Sequence, residues 1–202
     1  MKFLLLLLSA TSLFAIDYPN EAQPNYNFYL DYPNEYYVET GASGGGSIIR
    51  ALEVRRQQHG AFKYIYSIDI NPHSIFICKK NFGFHPNIKL WEGDSSTDLW
   101  EMIKDIPKPI TFWLDAHRYP PEDDGKKNCP LLEELEQIQR HPINTHTILI
   151  DDMNCCGTAT FDYITIEDLI EKILQINPEY KIKFLYSQIL VATPPAKTIG
   201  SP

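Results

Sequence analysis

Short apolar runs alternate with amphipathic helical patterns from residue 36 onward. Runs typical of buried strands lie at 36–38, 64–68, 88–91, 110–114 and 147–150. Helical spacing is predicted over 47–59, after Asn71-Pro72, over 96–104, from Leu131 and from Ile166. In the fourth helix, leucines and Ile138 define an apolar side, and we expect Glu133, Glu134 and Glu136 to face largely outward. Repeated strand–helix units predict an α/β fold with a doubly wound, Rossmann-like parallel sheet.

The last two apolar runs, 181–186 and 189–193, have almost nothing between them. A parallel crossover needs a dozen or more residues, so these runs should form an antiparallel hairpin. The sheet is therefore mostly parallel with a C-terminal antiparallel hairpin. A chain of 202 residues suits one domain, which we place at 36–194, followed by a tail over 195–202.

Each of the five parallel strands ends at an acidic residue. These residues are Glu39, Asp69, Asp94, Asp115 and Asp151. Parallel sheets of this kind bind ligands at the carboxyl ends of their strands. Five carboxylates at one edge predict a ligand with hydroxyls or amines, a cation, or both.

Charge narrows the class of partner. The chain has 18 basic and 26 acidic residues, a formal net charge of −8, and no basic stripe. Because an acidic chain repels phosphate backbones, we expect a small-molecule substrate and no nucleic acid.

The N-terminus, residues 1–16, has the pattern of a secretory signal peptide: Lys2, a leucine run and Ala15 before Asp17. Leu13 departs from the preferred cleavage pattern, and an uncleaved hydrophobic anchor is the alternative. Cleavage would give an exported protein, periplasmic or secreted, with no stable membrane span. A retained leader leaves a cytoplasmic location open.

Residues 17–35 form a Tyr/Pro/Asn-rich arm with two Asp-Tyr-Pro-Asn-Glu copies, at 17–21 and 31–35. The arm fits either a lid over a site or a solvated linker with some tyrosines packed down. Further along, Cys129 could approach the adjacent Cys155 and Cys156 if their loops are neighbours. A disulfide and plain packing are both open.

A glycine-rich turn, Glu39 to Ser47, connects the first strand to the first helix. Such turns let a ligand approach the backbone and offer helix N-terminal amides to an anion. Thr-Gly-Ala-Ser-Gly-Gly is also similar to the turn of short-chain dehydrogenases, which bind NAD(P). The chain has no Tyr-x-x-x-Lys to supply the catalytic pair of that family, which disfavours an oxidoreductase.

Five motifs occur in register along 36–193. They are Glu-x-Gly-x-x-x-Gly-x-Ser (39–47), Asp-Ile-Asn-Pro (69–72), Gly-Asp-Ser (93–95), Phe-Trp-Leu-Asp-Ala-His (112–117) and Ile-Asp-Asp (150–152). In order and spacing they resemble class I S-adenosylmethionine (SAM)-dependent methyltransferases. The chain looks most like the metal-dependent small-molecule O-methyltransferases, of the catechol O-methyltransferase type.

The resemblance implies a SAM site and a divalent-cation site. Gly41 and Gly45 would pass under the methionine part, Ser47 would bind its carboxylate and Glu39 would lie near its amino group. Asp69 would bind the ribose hydroxyls, and Asp94 with Ser95 would border the adenine. A cation such as Mg²⁺ would be held by Asp115, Asp151 and Asp152, although the family commonly has Asn at the last place.

Physical chemistry supports a cation, because adjacent uncompensated carboxylates destabilise each other. An exposed surface pair, or ligand contacts without metal, are the alternatives for Asp151 and Asp152.

The identity of the general base is open. The family's lysine is replaced by Arg118, which stays protonated, so the catalytic candidates are His117 and Asp115. His117 could instead be a metal ligand or a cofactor contact.

Two hypotheses of different class follow. The first is an enzyme that transfers a methyl group from SAM to a hydroxyl of a small molecule or sugar. The second is a cofactor-binding module that keeps the fold and lacks turnover, which the missing lysine favours. Specificity would come from the arm and from loops near 117–128 and 153–162.

Overall fold

The computed structural model describes residues 26–123 and 125–195. The leader, the arm up to residue 25 and the tail from residue 196 lie outside the described residues. Within the described part of the chain, no helix is long and apolar enough to cross a membrane.

Seven strands form one sheet in the order β3-β2-β1-β4-β5-β7-β6. The strands are β1 (Tyr36–Thr40), β2 (Tyr64–Asp69), β3 (Ile88–Glu92), β4 (Ile110–Leu114), β5 (Thr147–Ile150), β6 (Lys181–Leu185) and β7 (Ile189–Thr193). The first five are parallel, whereas β7 pairs antiparallel with both β5 and β6. The predicted mostly parallel sheet with a terminal hairpin is confirmed.

Among the described residues, five α-helices cover the two faces of the sheet. They are α1 (Gly46–Gln57), α2 (Pro72–Phe82), α3 (Ser95–Ile103), α4 (Leu131–Gln139) and α5 (Ile166–Ile176). Capping side chains fix where several begin: Asn71 accepts from the His73 amide and Asp94 from the Ser96 amide. At α5, Thr165 and Asp168 cap each other reciprocally.

Strand residues alternate between two cores. Val38 packs on the face covered by α3, α4 and α5, whereas its neighbour Tyr37 packs on the face covered by α1 and α2. The described part of the arm contributes a 3₁₀ helix, Tyr26–Asp31, to the second face. There Phe28 and Tyr29 are buried against the ring of Trp113.

One expectation about α4 is wrong. Glu134 does not face outward but is fully buried. It lies three residues after Leu131 and four before Ile138, which places it on the same helix face as these core residues.

The four cysteines are free thiols in this structure.

Candidate active site

A cavity of about 470 Å³ opens at the carboxyl edge of the parallel strands. Five residues predicted from the sequence as cofactor or catalytic residues line it, besides His117: Gly41, Asp69, Asp94, Ser95 and Asp115. Its size falls within the range of small-molecule and cofactor sites. A second cavity, of about 560 Å³, is lined by Arg55, His59 and Lys63 among others and contains none of the predicted site residues.

Gly41 brings the first turn close to the end of β4. Its backbone has φ of +84°, and a Cβ there would lie 2.2 Å from the carbonyl oxygen of Asp115. Only glycine fits this conformation and this approach. The glycine therefore lets the two strand ends that form the cavity floor meet.

Asp69 connects the glycine turn to β2. One carboxylate oxygen accepts from the Ser43 amide at 2.8 Å and the other from the Asn71 amide at 2.7 Å. Each carboxylate oxygen has a second lone pair, which leaves acceptors for a ligand. Sequence reasoning missed Ser43, whose backbone donates to Asp69 from a conformation with φ of +45°.

Three predicted cofactor residues of the turn do not line the cavity. Glu39 is fully buried and accepts from the Ser67 hydroxyl at 2.5 Å and the Tyr37 hydroxyl at 3.3 Å. Burial raises its pKa to about 7, while the Ser47, Ser67 and Tyr37 hydroxyls oppose that shift.

The other two residues are Gly45 and Ser47. A Cβ on Gly45 would lie 2.5 Å from the Phe82 ring. Ser47 is nearly buried, with its hydroxyl beside Glu39. Glu39, Gly45 and Ser47 thus make packing and hydrogen-bond contacts inside the protein.

Asp115, which lines the cavity, belongs to an acidic cluster with Asp151 and Asp152. Burial, followed by the charges of Asp151 and Asp152, raises the pKa of Asp115 to about 8. Burial also raises the pKa of Asp151 to about 6. Carboxylates held this close favour either protonation or a cation.

His117 lies between two of these carboxylates. Its Nδ1 is 3.6 Å from Asp115 Oδ1, and its Nε2 is 3.4 Å from Asp152 Oδ2. Burial lowers the pKa of His117, against the opposing charge of Asp152. A neutral imidazole has a lone pair available for a metal or a proton.

Within the described ranges, Asp115, His117 and Asp152 form the one group of three donors whose ligand atoms all lie within 4.8 Å of one another. Asp151, which the resemblance placed in the ligand set, is not in this group. Asp151 is buried, and its Oδ1 accepts from the Asp152 amide at 2.8 Å. Oxygen and imidazole donors at this spacing fit a divalent cation.

Gln188, in the terminal hairpin, holds the Asp152 side chain. Its backbone is left-handed, with φ of +54°, and its Oδ1 accepts from Gln188 Nε2 at 2.9 Å. Gln188 also accepts from the Met153 amide through its carbonyl oxygen. Sequence reasoning missed Gln188, because the short link of the hairpin predicts only a turn.

Glu134 is the third residue that sequence reasoning missed. Burial raises its pKa to about 7, opposed by the hydroxyls of Ser95 and Thr40. Its helix also carries Gln137, whose Nε2 donates to the Ser95 carbonyl at 2.8 Å. α4 therefore supports the wall that Asp94 and Ser95 present to the cavity.

Comparison with solved structures finds similar folds. The chain is similar to the O-methyltransferase from Bacillus cereus in complex with SAH, at 14% identity and a TM-score of 0.54, with 87% of this chain and 84% of that chain covered. It is similar to the SAH-bound Podospora anserina methyltransferase PaMTH1, at 15% identity and a TM-score of 0.53, with coverages of 80% and 72%. The apo structure of CmcI-N160 has 18% identity and a TM-score of 0.57, with coverages of 85% and 69%.

No protein-family model matches the chain, and no curated protein matches its sequence. At the identities above, the structural likeness establishes the fold. The resemblance found in the motifs is confirmed at that level: the chain has the fold of the class I SAM-dependent methyltransferases.

Proposed function

We propose that the chain transfers a methyl group from SAM to a hydroxyl of a small molecule or sugar, with a divalent cation held beside the acceptor. The observation that carries the proposal is that Asp115 and His117 line the same cavity as the glycine turn, Asp69 and Asp94, and form a possible ligand group with Asp152. A cofactor and an activated acceptor would meet there.

Different residues of the chain would bind different parts of SAM. The Asp69 oxygens, oriented by the Ser43 and Asn71 amides, would accept from the ribose hydroxyls. Asp94 and Ser95 would border the adenine, and the backbone at Gly41 would lie against the methionine part. The transfer depends on holding the acceptor oxygen, the methyl carbon and the sulfur in line.

When bound, a divalent cation lowers the pKa of a coordinated hydroxyl. We assign its ligands as Asp115, His117 and Asp152, with Asp151 orienting Asp152 through its amide. An imidazole beside two carboxylates suits Mn²⁺ or a later transition-metal ion better than Mg²⁺, which prefers oxygen ligands. Arg118 occupies the place of the family's lysine and cannot accept the proton.

The experiment is a methyl-transfer assay with SAM over a panel of catechols, other phenols and sugars, in Mn²⁺, Mg²⁺ or EDTA. We expect a methylated product with Mn²⁺ and loss of the product with EDTA. Asp152→Ala should remove the turnover, whereas Asp105→Asn, an exposed carboxylate between α3 and β4, should keep it.

The second candidate is a SAM-binding module without turnover, favoured by Arg118 in place of the lysine. Binding of SAM with no methylated product for any acceptor or cation in the panel would support this candidate over the enzyme. No binding of SAM would contradict both.

A further inference from the structure

The turn that ends at Asp162 is hydrogen-bonded to the end of the loop that carries His117. Asp162 follows the short 3₁₀ turn Ala159–Phe161 and has a left-handed backbone with φ of +48°. Its carboxylate accepts three hydrogen bonds: from the Asn128 amide at 2.8 Å, the Cys129 amide at 3.0 Å and Asn128 Nδ2 at 3.1 Å. Hydrogen bonds to a charged acceptor are among the stronger ones in proteins.

Asn128 in turn accepts hydrogen bonds from two other residues of the loop. The residue is nearly buried, and its Oδ1 accepts from the Glu122 amide at 2.7 Å. Its carbonyl oxygen accepts from the Arg118 amide at 2.8 Å. Asn128 therefore holds Arg118 through its backbone and Glu122 through its side chain, and Asp162 holds Asn128 in turn.

The same turn contacts the imidazole directly. Phe161 is buried, and its ring centroid lies 5.2 Å from that of His117. The Phe161 ring thus contacts His117 directly, and Asp162 acts on it indirectly, because Asn128, which Asp162 anchors, accepts from the amide of the next residue, Arg118.

We propose that Asp162, through Asn128, is a positioning residue that holds His117 between Asp115 and Asp152. We call the hydrogen bonds of Asp162 to Asn128 and Cys129 the clasp. The inference rests on the proposed function in taking His117 as a metal ligand. Residues that orient metal ligands typically change metal affinity by about 10–100-fold when replaced.

The test measures Mn²⁺ affinity by electron paramagnetic resonance and the His117 ring signals by NMR, in full-length protein. Asp162→Ala should weaken Mn²⁺ binding by about tenfold or more, shift or broaden the His117 signals and speed hydrogen exchange of the Arg118 amide. Asp162→Asn, which keeps the shape, should give a smaller change of the same kind, and it replaces the alanine variant if that variant does not fold. Asp105→Asn is the matched control and should leave all three readouts unchanged.

A swap of the two side chains tests their pairing. Asn128→Asp alone places two carboxylates together and should disturb His117 at least as much as Asp162→Ala. Combining it with Asp162→Asn restores an amide–carboxylate pair and should recover part of the loss. A swap that recovers nothing would overturn the pairing.

Two failures are distinguishable. If wild type binds no Mn²⁺, the metal part of the proposed function fails, and the clasp is still judged from the His117 signals and the Arg118 amide. If Asp162→Ala lowers only the melting temperature, with these signals unchanged, Asp162 is merely structural and the inference is overturned.

Discussion

Nε2 of His117 lies 3.4 Å from Oδ2 of Asp152, although the two residues come from the ends of different strands. The first follows β4 and the second follows β5, which are adjacent in the sheet. The group of possible ligands in the structure therefore contains an imidazole and not Asp151, unlike the set that the resemblance implies.

The two possible ligand sets predict different effects of the same substitutions on Mn²⁺ binding. His117→Ala removes a donor of the observed group and should weaken Mn²⁺ binding by tenfold or more. Asp151→Asn keeps the shape of a residue outside that group and should weaken binding less. Calorimetric titration of Mn²⁺ into each variant checks the order, and a larger loss in Asp151→Asn would return Asp151 to the first coordination shell.

Gly41 should tolerate no side chain. Gly41→Ala would place a Cβ 2.2 Å from the Asp115 carbonyl oxygen in a left-handed conformation, so we expect a loss of at least about 1–3 kcal/mol in the free energy of unfolding. Gly44→Ala is the matched control, because nothing lies within 4 Å of its Cβ position. Urea unfolding of both variants measures the difference, and equal stability would contradict the described contact between β1 and β4.

Glu134 should make the protein less stable as pH rises. Its folded pKa of about 7 lies above the ordinary value of 4.5, so the folded state binds the extra proton between these values. The contribution is fully present below pH 4.5 and is lost as pH rises through 7. Glu134→Gln should therefore gain stability relative to wild type between pH 5 and 8. Glu136→Gln, on the exposed side of α4, should show no such gain, and parallel stability curves for wild type and Glu134→Gln would contradict the prediction.

His146, unlike Glu134, should make the protein less stable as pH falls. It is fully buried, its Nδ1 accepts from the Ile110 amide at 3.1 Å, and burial lowers its pKa from 6.5 to about 3. Its stabilising contribution is present above pH 6.5 and is lost as pH falls toward 3, at up to about 1.4 kcal/mol per pH unit.

The measurement is urea unfolding between pH 4 and 7. His146→Asn keeps an acceptor near Nδ1 and removes the titration, so its stability should fall less steeply with acid than that of wild type. His85→Asn should leave the slope steep, because the steepness belongs to His146. A variant as acid-sensitive as wild type would show that another group carries the effect.

The fold could be predicted from the sequence because the apolar runs and helix starts are local signals. Asn71-Pro72 marks the start of α2, and the short link before Ile189 requires an antiparallel hairpin. Three of the acidic strand ends, Asp69, Asp94 and Asp115, line one cavity, since the carboxyl ends of parallel strands lie together.

The site was less predictable, because it depends on side-chain direction. The charge of Glu39 gave no sign that its carboxylate is buried and accepts a hydrogen bond from Ser67. Spacing from Leu131 would have placed Glu134 on the buried face, yet its charge suggested solvent. The clasp between Asp162 and Asn128 joins residues 34 apart, with no local pattern that could reveal it.

Titration of S-adenosylhomocysteine into the purified protein, followed by calorimetry, tests the central claim most directly. The account predicts saturable binding at one site, weakened by at least tenfold in Asp69→Ala, which removes the acceptors for the ribose hydroxyls, and unchanged in Asp105→Asn. Absence of binding to folded wild-type protein, or binding that Asp69→Ala leaves intact, would contradict it.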